Sequence, residues 1–266
     1  MAQLTLSGLY FYPVKSLRGV SLERAPVGSR GIQLDRHWMV VDGAGKFITQ
    51  RQYPRMALIS TALTPGALRL SAPAMPDMEV PVAPGEGETA SVQVWGDHCL
   101  ARSAGDAPAN WLSRFLGVDC RLFFMPESTE RAVDPDYATA HDRVGFADGF
   151  PFMLISQASL DDLNGRLDTP LPMQRFRPNL VVTGCEPYAE DSWRRIRVGE
   201  ITFRVAKPCS RCAIPAIDPE TAEKGAEPLR TLSRYRREGN QVYFGQNLLH
   251  DGSGELKIGA PVEVLE

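Results

Sequence analysis

The sequence is poor in the residues that build disulfide scaffolds and metal clusters, since its 266 residues include five cysteines and four histidines. An odd number of cysteines scattered over a long chain is unlike a small secreted disulfide scaffold, so we expect reduced thiols. The histidines form no ligand-spaced pair and three of the cysteines are isolated, which argues against a structural zinc site. The cysteines are Cys99, Cys120, Cys185, Cys209 and Cys212.

Long apolar runs and a positive net charge are also missing. No run approaches the roughly 18 apolar residues that a membrane-spanning helix needs. The start, M-A-Q-L-T-L-S-G-L-Y, has no basic segment ahead of an apolar one. The net charge of −3 argues against a chain-wide electrostatic hold on nucleic acid or anionic lipid. We therefore expect a globular cytoplasmic protein with no membrane contact and no stable nucleic acid binding.

The glycine motifs of the common nucleotide-binding folds do not occur in this sequence. P-loop and Rossmann patterns are absent, and so is the G-x-S-x-G turn that carries a hydrolase serine. The chain shows no internal repeat and no low-complexity tract. Nucleotide binding by those routes and α/β-hydrolase chemistry therefore have no support.

What the chain does contain is a series of short β-like segments punctuated by 23 glycines and 21 prolines. Segments at this spacing favour a barrel or sandwich over alternating βαβ units. The patterns predict a strand over 4–14, a hairpin over 31–42 and 46–50, and helices over 107–117 and 156–167. A polar stretch at 126–143 predicts a domain boundary or an exposed flap. The expected fold is α+β and β-dominated, with an N-terminal β-domain over 1–125 and a second domain over 126–266.

Charged and hydrogen-bonding side chains cluster next to these predicted strands, where a rigid sheet can hold them toward a ligand. Arginine in particular suits a phosphate or a carboxylate, because its guanidinium makes paired hydrogen bonds. Each pattern is also typical of a solvated turn or a charged strand edge, and spacing alone does not decide between these interpretations. The residues concerned are Lys15, Ser16, Asp35, Arg36, His37, Asp148, Arg175, Arg177 and Asn179.

The densest group of reactive side chains is the C-S-R-C segment from Cys209 to Cys212. The pair is compatible with a redox couple, half a zinc site or a ligand for a softer metal. A thioredoxin-type pair opens a helix, whereas Pro215 and β-like sequence follow here, so a dithiol reductase has weak support. The pattern that fits best is one thiolate on a single metal whose other ligands come from a cofactor, as for molybdenum on a pyranopterin dithiolene.

Nine short motifs, taken in their order along nearly the whole chain, resemble the MOSC superfamily. The similarity is to the group that unites an N-terminal β-barrel domain with a MOSC domain, as in the YcbX-like proteins and the mitochondrial amidoxime-reducing components. Each motif is weak alone, and their combined order is highly specific. The motifs are Y-P-V-K-S at 12–16, L-D-R-H-W at 34–38, R-Q at 51–52, F-A-D-G-F-P-F at 146–152, F-R-P-N at 176–179, Y-A-E-D-S-W at 188–193, C-S-R-C at 209–212, I-D-P-E-T at 217–221 and F-G-Q at 244–246.

The resemblance implies a site for the molybdenum cofactor, with Cys212 as the ligand to the metal and Asp148 close to it. It leaves Cys209 in a supporting role. Arg175 is a weaker candidate for cofactor binding, supported by its place beside the F-R-P-N motif. The resemblance assigns the remaining cofactor contacts to Lys15, Ser16, Arg36, Arg177, Asn179, Ser210 and Arg211.

The activity that the resemblance implies is reduction of N-hydroxylated compounds, including base analogues and amidoximes, with Asp148 as a candidate proton relay. Electrons are expected from a separate protein, either a ferredoxin with a flavin reductase or a haem protein, because the chain has no cysteine cluster for an iron–sulfur centre of its own. Pyridoxal phosphate is not expected. The membrane-targeting N-terminus of the mitochondrial relatives is also not expected here.

Two other functions remain open at this point. MOSC domains also occur in cofactor sulfurases, so the chain is alternatively a molybdenum-cofactor or sulfur carrier with a persulfide on Cys212. A dithiol oxidoreductase that uses Cys209 and Cys212 needs no metal. Molybdenum content and pterin fluorescence discriminate among the three.

Overall fold

The computed structural model describes residues 3–82 and 87–266. Positions 1–2 and 83–86, which belong to the predicted N-terminal domain, lie outside the described residues. The described chain is β-dominated with a few short helices, which confirms the expected fold class. Short strands interrupted by glycine and proline favour this outcome, because such residues end each element after a few positions.

The described elements follow one another with short connections. The helices are α1 Asp106–Leu116, α2 Gln157–Asn164 and α3 Leu229–Leu232. Four 3₁₀ helices cover Pro54–Leu58, Met173–Phe176, Ala189–Asp191 and Ile214–Ala216. The strands are β1 Thr5–Phe11, β2 Val20–Ser21, β3 Arg24–Gly28, β4 Gly31–Ile32, β5 Trp38–Val41, β6 Ser60–Thr64, β7 Ala67–Ser71, β8 Met78–Pro81, β9 Thr89–Val94, β10 Asp97–Ser103, β11 Arg121–Phe124, β12 Phe152–Ser156, β13 Leu180–Thr183, β14 Arg195–Val198, β15 Ile201–Ser210, β16 Arg237–Glu238, β17 Gln241–Asp251, β18 Gly254–Lys257 and β19 Val262–Val264.

The largest sheet has nine strands in the order β19-β14-β15-β17-β12-β13-β1-β2, with β16 paired to β17. Strands β12 and β13 are parallel, whereas β1 is antiparallel to β13. In this register Leu9 pairs with Leu180, and Leu180 pairs with Leu154. The end of β1 therefore lies beside the beginnings of β12 and β13, so the loops at these three points meet at one edge of the sheet.

Three smaller sheets complete the β-structure. Their orders are β5-β11-β10-β9, β6-β7-β8 and β18-β3-β4. The last of these joins a strand near the C-terminus to two strands near the N-terminus. Since β1 and β2 also belong to the large sheet, the two halves of the chain are interwoven, and the division at 125 and 126 stays a prediction.

The hydrophobic core has two main parts. One lies against the large sheet and is centred on Phe152 and Phe203, whose rings pack edge to face at 5.1 Å. The other fills the space between α1 and the sheets of the N-terminal half and includes Trp38, Trp111 and Phe115. Helix α1 presents its apolar stripe to this core and ends at Gly117, which has the left-handed conformation (φ 72°) of a helix C-cap.

The predicted strand over 31–42 is wrong, because the chain turns in its middle. Residues 33–36 form a turn between β4 and β5, and Leu34 and Arg36 have positive φ angles of 66° and 50°. The turn lets the Asp35 carboxylate accept a hydrogen bond from the backbone N–H of Tyr12 at 2.7 Å. The hydrogen bond to this buried carboxylate favours the turn more strongly than the β-propensity of the neighbouring residues favours a strand.

The helix predicted over 156–167 is shorter and covers Gln157–Asn164. Ser156 Oγ accepts the Ser159 backbone N–H at 3.1 Å, which makes Ser156 the N-cap of α2. The polar stretch at 126–143 contains a single isolated β-bridge, between Ala132 and Arg143. No helix in the described ranges is long and apolar enough to cross a membrane.

Candidate functional site

One cavity collects residues from loops at the edge of the large sheet and from the turn before β5. Nine of the ten predicted site residues line it, although they are spread over almost 200 positions of the chain. Those residues are Lys15, Ser16, Arg36, Asp148, Arg177, Asn179, Ser210, Arg211 and Cys212.

The loop after β1 supplies Lys15 and Ser16, and both are almost fully buried at 5% and 4% exposure. The backbone N–H of Lys15 donates to the Trp38 carbonyl at 2.8 Å, which ties this loop to β5. The Ser16 carbonyl accepts from Gln50 Nε2 at 2.7 Å. These bonds fix the backbone, so the position of the two side chains at the cavity is also fixed.

The Lys15 ammonium forms an ion pair with Asp148, and the distance from Nζ to Oδ1 is 2.5 Å. Burial lowers the pKa of Lys15, and the Asp148 charge opposes this effect without cancelling it. Desolvation favours the neutral acid at Asp148, but Lys15 and the Trp95 indole outweigh it and hold the pKa of Asp148 below its usual range. Asp148 is therefore ionised at neutral pH. Its side chain is 60% exposed, so the charged carboxylate also reaches water.

The loop that carries Asp148 is held by the buried guanidinium of Arg131, which sequence analysis missed. Its Nη1 donates to the carbonyls of Gly145 at 2.8 Å and Ala147 at 2.6 Å, and its Nη2 to the Asp148 carbonyl at 3.2 Å. Its Nε binds Asp97 at 2.8 Å. A single arginine with its fork of donors thus satisfies three carbonyls that flank the site carboxylate.

Arg36 and Arg177 both stack on the ring of Tyr12, each with its guanidinium carbon 4.3 Å from the ring centroid. Arg36 Nη1 is bound by the Asp35 carboxylate and by Asn179 Oδ1, the latter at 3.0 Å. Arg177 Nη1 donates to the Leu17 carbonyl at 2.7 Å. An aromatic face and fixed acceptors keep the two cations close together despite their mutual repulsion.

Burial lowers the pKa of Arg177 to about 10, and the neighbouring Arg36 charge acts in the same direction. Arg177 is still charged at neutral pH. Asn179 is 1% exposed: its Oδ1 accepts from Arg36 and from the Met153 backbone, and its Nδ2 donates to the Tyr10 carbonyl at 3.2 Å. Asn179 thus joins β1, β12 and Arg36.

Three of the site residues adopt the left-handed backbone region that side chains other than glycine usually avoid. Their φ angles are 66° at Ser16, 50° at Arg36 and 58° at Arg177. Each such residue costs on the order of 1–3 kcal/mol. Because unfavourable backbone conformations persist mainly where the surrounding structure requires them, their concentration here marks this edge of the sheet as a functional site.

The C-S-R-C segment enters the cavity at the end of β15. The register of β15 with β17 is irregular between Val205 and Lys207 and again between Pro208 and Ser210. Such irregularities bend a strand, and here they precede the loop that carries Cys212. Cys209 and Cys212 are both free, half-buried thiols that line the cavity.

Arg211 is partly buried and anchors this loop. Its Nη2 donates to the Phe176 carbonyl at 2.6 Å, and its Nη1 lies 3.2 Å from Cys209 Sγ. The Nε atom is buried and has no hydrogen-bond partner among the described residues. The contact between Arg211 Nη1 and Cys209 Sγ distinguishes the two cysteines, because it holds Cys209 in place.

Arg175 is the one predicted site residue that the fold does not bring to this cavity. Its guanidinium forms an ion pair with Asp218 at 2.7 Å and lines an adjacent cavity. Arg177 lines both cavities, whereas the Asp218 carboxylate holds the Arg175 side chain at the adjacent one.

Besides the predicted residues, Arg51 lines the cavity, and its guanidinium lies 4.7 Å from the centroid of the Trp95 ring. Its R-Q dipeptide at 51–52 was one of the nine motifs. In the described ranges, the cavity lining includes five cationic side chains and one carboxylate, that of Asp148. The same ranges hold no group of three or more His, Cys, Asp or Glu side chains arranged for a metal ion. The lining thus combines an excess of positive charge with two thiols.

The fold and this site belong to the class of two-part MOSC proteins. Residues 3–119 match the MOSC N-terminal beta barrel domain, and residues 141–263 match the MOSC domain. Among solved structures, the YUAD protein from Bacillus subtilis covers 98% of this chain and 94% of its own chain, with 10% identity and a TM-score of 0.42. A TM-score this low carries no argument about this protein.

Curated relatives identify the family within that class. The chain is 34% identical to Mitochondrial amidoxime-reducing component 1 of Mus musculus, over 98% of this chain and 82% of the relative. It is 35% identical to the protein of the same name in Homo sapiens, over 98% and 83%. The chain belongs to the MOSC protein family that includes the mitochondrial amidoxime-reducing components.

Proposed function

We propose that this protein reduces N-hydroxylated compounds, such as amidoximes and N-hydroxylated bases, with a molybdenum cofactor held in the cavity described above. The observation that carries the proposal is the convergence of Cys212, Lys15, Arg36 and Arg177 on one cavity with an excess of positive charge. The names of the relatives, which are amidoxime-reducing components, support the same reaction class.

The residues fit the proposed cofactor on chemical grounds. Its phosphate and dithiolene are anionic, and the cavity offers guanidinium groups whose partners are mostly neutral carbonyls and an aromatic ring. A half-buried thiol suits a soft metal, and the lack of a second carboxylate or histidine ligand leaves the other positions to the cofactor. Cys212 would hold the metal. The organic part would be held by Lys15, Ser16, Arg36, Arg177, Asn179, Ser210 and Arg211.

When bound, the cofactor supplies two-electron reduction, with electrons from a separate donor protein, either a ferredoxin with a flavin reductase or a haem protein. For the substrate, the N–O bond breaks, the compound takes up two electrons and two protons, and its oxygen leaves as water. Asp148 and Lys15 are the groups of this chain suited to move the protons, because Nζ and Oδ1 are 2.5 Å apart and the carboxylate reaches the solvent.

The experiment that tests this proposal compares wild type with Cys212→Ser and Cys209→Ser, each made in a host that synthesises the cofactor. We expect near-stoichiometric molybdenum and pterin fluorescence in wild type and in Cys209→Ser, and loss of both in Cys212→Ser. Full molybdenum retention in Cys212→Ser contradicts the ligand assignment. Sulfane sulfur on Cys212 without molybdenum contradicts the reductase and favours the carrier function.

A further inference from the structure

Trp95 occupies a position where a bulky residue is unusual. It is the first residue of the two-residue loop between β9 and β10, since Val94 pairs directly with Asp97. Its φ is 55°, a conformation that hairpin loops normally fill with glycine or asparagine. The side chain is also 45% exposed, so burial does not explain the choice. A strained and exposed tryptophan indicates a role in binding.

The indole of Trp95 reaches the site carboxylate. Its Nε1–H donates to Asp148 Oδ1 at 3.0 Å, and Oδ1 also accepts from Lys15 Nζ. Both bonds fall on the same oxygen, and Oδ2 has no hydrogen-bond partner in the described part of the chain. Since the Asp148 side chain is 60% exposed, Oδ2 is open to a donor that arrives from outside.

A second cleft lies on the outer side of this carboxylate and is lined by Trp95 and Phe150. Asp148, Gly149 and Phe150 line both this cleft and the cofactor cavity, so the two spaces adjoin along these residues. Phe150 is held by Tyr137, whose ring packs on it edge to face at 6.0 Å, and by the Lys207 ammonium, 5.4 Å from its centroid. The cleft thus has two aromatic side chains and an open hydrogen-bond acceptor in its lining, and it adjoins the cofactor cavity.

We propose that this cleft is the substrate subsite and that it selects N-hydroxylated compounds attached to a flat conjugated ring. This inference rests on the proposed function and names the substrate class of the same reaction. The ring stacks on Trp95, with Phe150 as the second wall, while an N–H or O–H of the substrate donates to Asp148 Oδ2. Stacking on tryptophan tolerates many ring systems, because it requires a π-face and no particular pattern of ring substituents.

Ligand binding is measurable without turnover, because Trp95 is the exposed member of the four tryptophans; Trp38, Trp111 and Trp193 are 0%, 5% and 6% exposed. We expect benzamidoxime to quench the intrinsic fluorescence with a saturable curve, and the aliphatic acetamidoxime to quench much less. Trp95→Phe should remove the saturable component. Saturable quenching that persists in Trp95→Phe, or quenching that is linear in wild type, overturns the subsite.

Steady-state kinetics test selectivity. In Trp95→Asn, whose asparagine suits the loop conformation, we expect KM for benzamidoxime to rise about tenfold, as for loss of one stacked ring. KM for acetamidoxime should change less than twofold, and Trp95→Phe, which keeps a ring, should lie between wild type and Trp95→Asn. If KM rises equally for both compounds in both variants, the effect comes from the lost hydrogen bond to Asp148. That result would overturn the stacking role of Trp95.

Leu100→Asn is the matched control, because Leu100 is 61% exposed on the same hairpin and lies outside the cleft lining. It should leave both KM values unchanged. Failure of the subsite and failure of the proposed function are distinguishable. Absence of turnover with both compounds in molybdenum-loaded wild type overturns the function, whereas turnover with unchanged preference in Trp95→Asn overturns the subsite alone.

Discussion

Lys15 and Asp148 lie 133 positions apart in the chain, yet Nζ of one is 2.5 Å from Oδ1 of the other at the mouth of the cavity. The lysine is almost fully buried and the carboxylate is largely exposed. The pair therefore connects the interior of the site to the solvent. It also keeps a negative charge at the entrance of a cavity that is otherwise cationic.

Removal of the ammonium should change the pH dependence of the reaction. Lys15 holds the pKa of Asp148 below its usual range, so in Lys15→Met this pKa should rise. If an ionised Asp148 is needed, the acid limb of the pH profile of kcat/KM should move to higher pH. The measurement is benzamidoxime reduction with a chemical electron donor, with rates expressed per bound molybdenum.

Lys257→Met, at an exposed position in β18, is the control and should leave the profile unchanged. An acid limb that stays in place in Lys15→Met would show that Asp148 does not need its charge for the reaction.

Arg131→Gln should destabilise the protein by about 2–4 kcal/mol, because three carbonyls around Asp148 lose a charged donor in a buried place. Urea unfolding measures the difference in the free energy of unfolding between each variant and wild type. Arg69→Gln, which breaks an exposed ion pair with Glu79, should destabilise the protein much less. Equal costs for the two variants would contradict the anchoring role of Arg131.

Gly245→Ala should be strongly destabilising, by more than about 2 kcal/mol. Gly245 has a φ of 81°, and an added Cβ would lie 2.7 Å from the Leu154 carbonyl oxygen and 2.6 Å from Ile155 Cγ1. Gly252→Ala is the matched control, since its φ is 92° and an added Cβ meets nothing within 4 Å. It should cost about 1 kcal/mol, from backbone strain alone. If thermal unfolding gives the same Tm for both variants, the predicted clash of the Cβ at position 245 is contradicted.

Tyr12→Leu should lower molybdenum content, because Arg36 and Arg177 lose the ring on which both are stacked. Tyr12→Phe keeps the ring and loses only the hydrogen bond from the hydroxyl to the Pro178 carbonyl, at a cost of about 1 kcal/mol. We expect Tyr12→Phe to retain the cofactor. Elemental analysis of the folded fractions measures the molybdenum content of each variant. A loss of molybdenum in both variants would assign the effect to the hydroxyl.

The sequence by itself determined the fold class, the helix at α1 and the strand at β1, because these depend on local apolar periodicity and on glycine and proline stops. Nine of the ten residues that the motif order singled out also lie at one cavity, although no single spacing pointed to it. The roles of those residues in holding the cofactor remain predictions.

The tertiary structure decided what depends on contacts between distant positions. The turn at 33–36 replaces a predicted strand because the Asp35 carboxylate finds a backbone donor at Tyr12, which no local pattern reveals. Arg175 lies two residues before Arg177, yet Arg177 lines both cavities and Arg175 lines the adjacent one, because its guanidinium forms an ion pair with Asp218. Arg131 and Trp95 gain their importance from Asp148, 17 and 53 positions away. Such partners are specified by strand pairing over the whole chain, so they become visible only when the sheets are assembled.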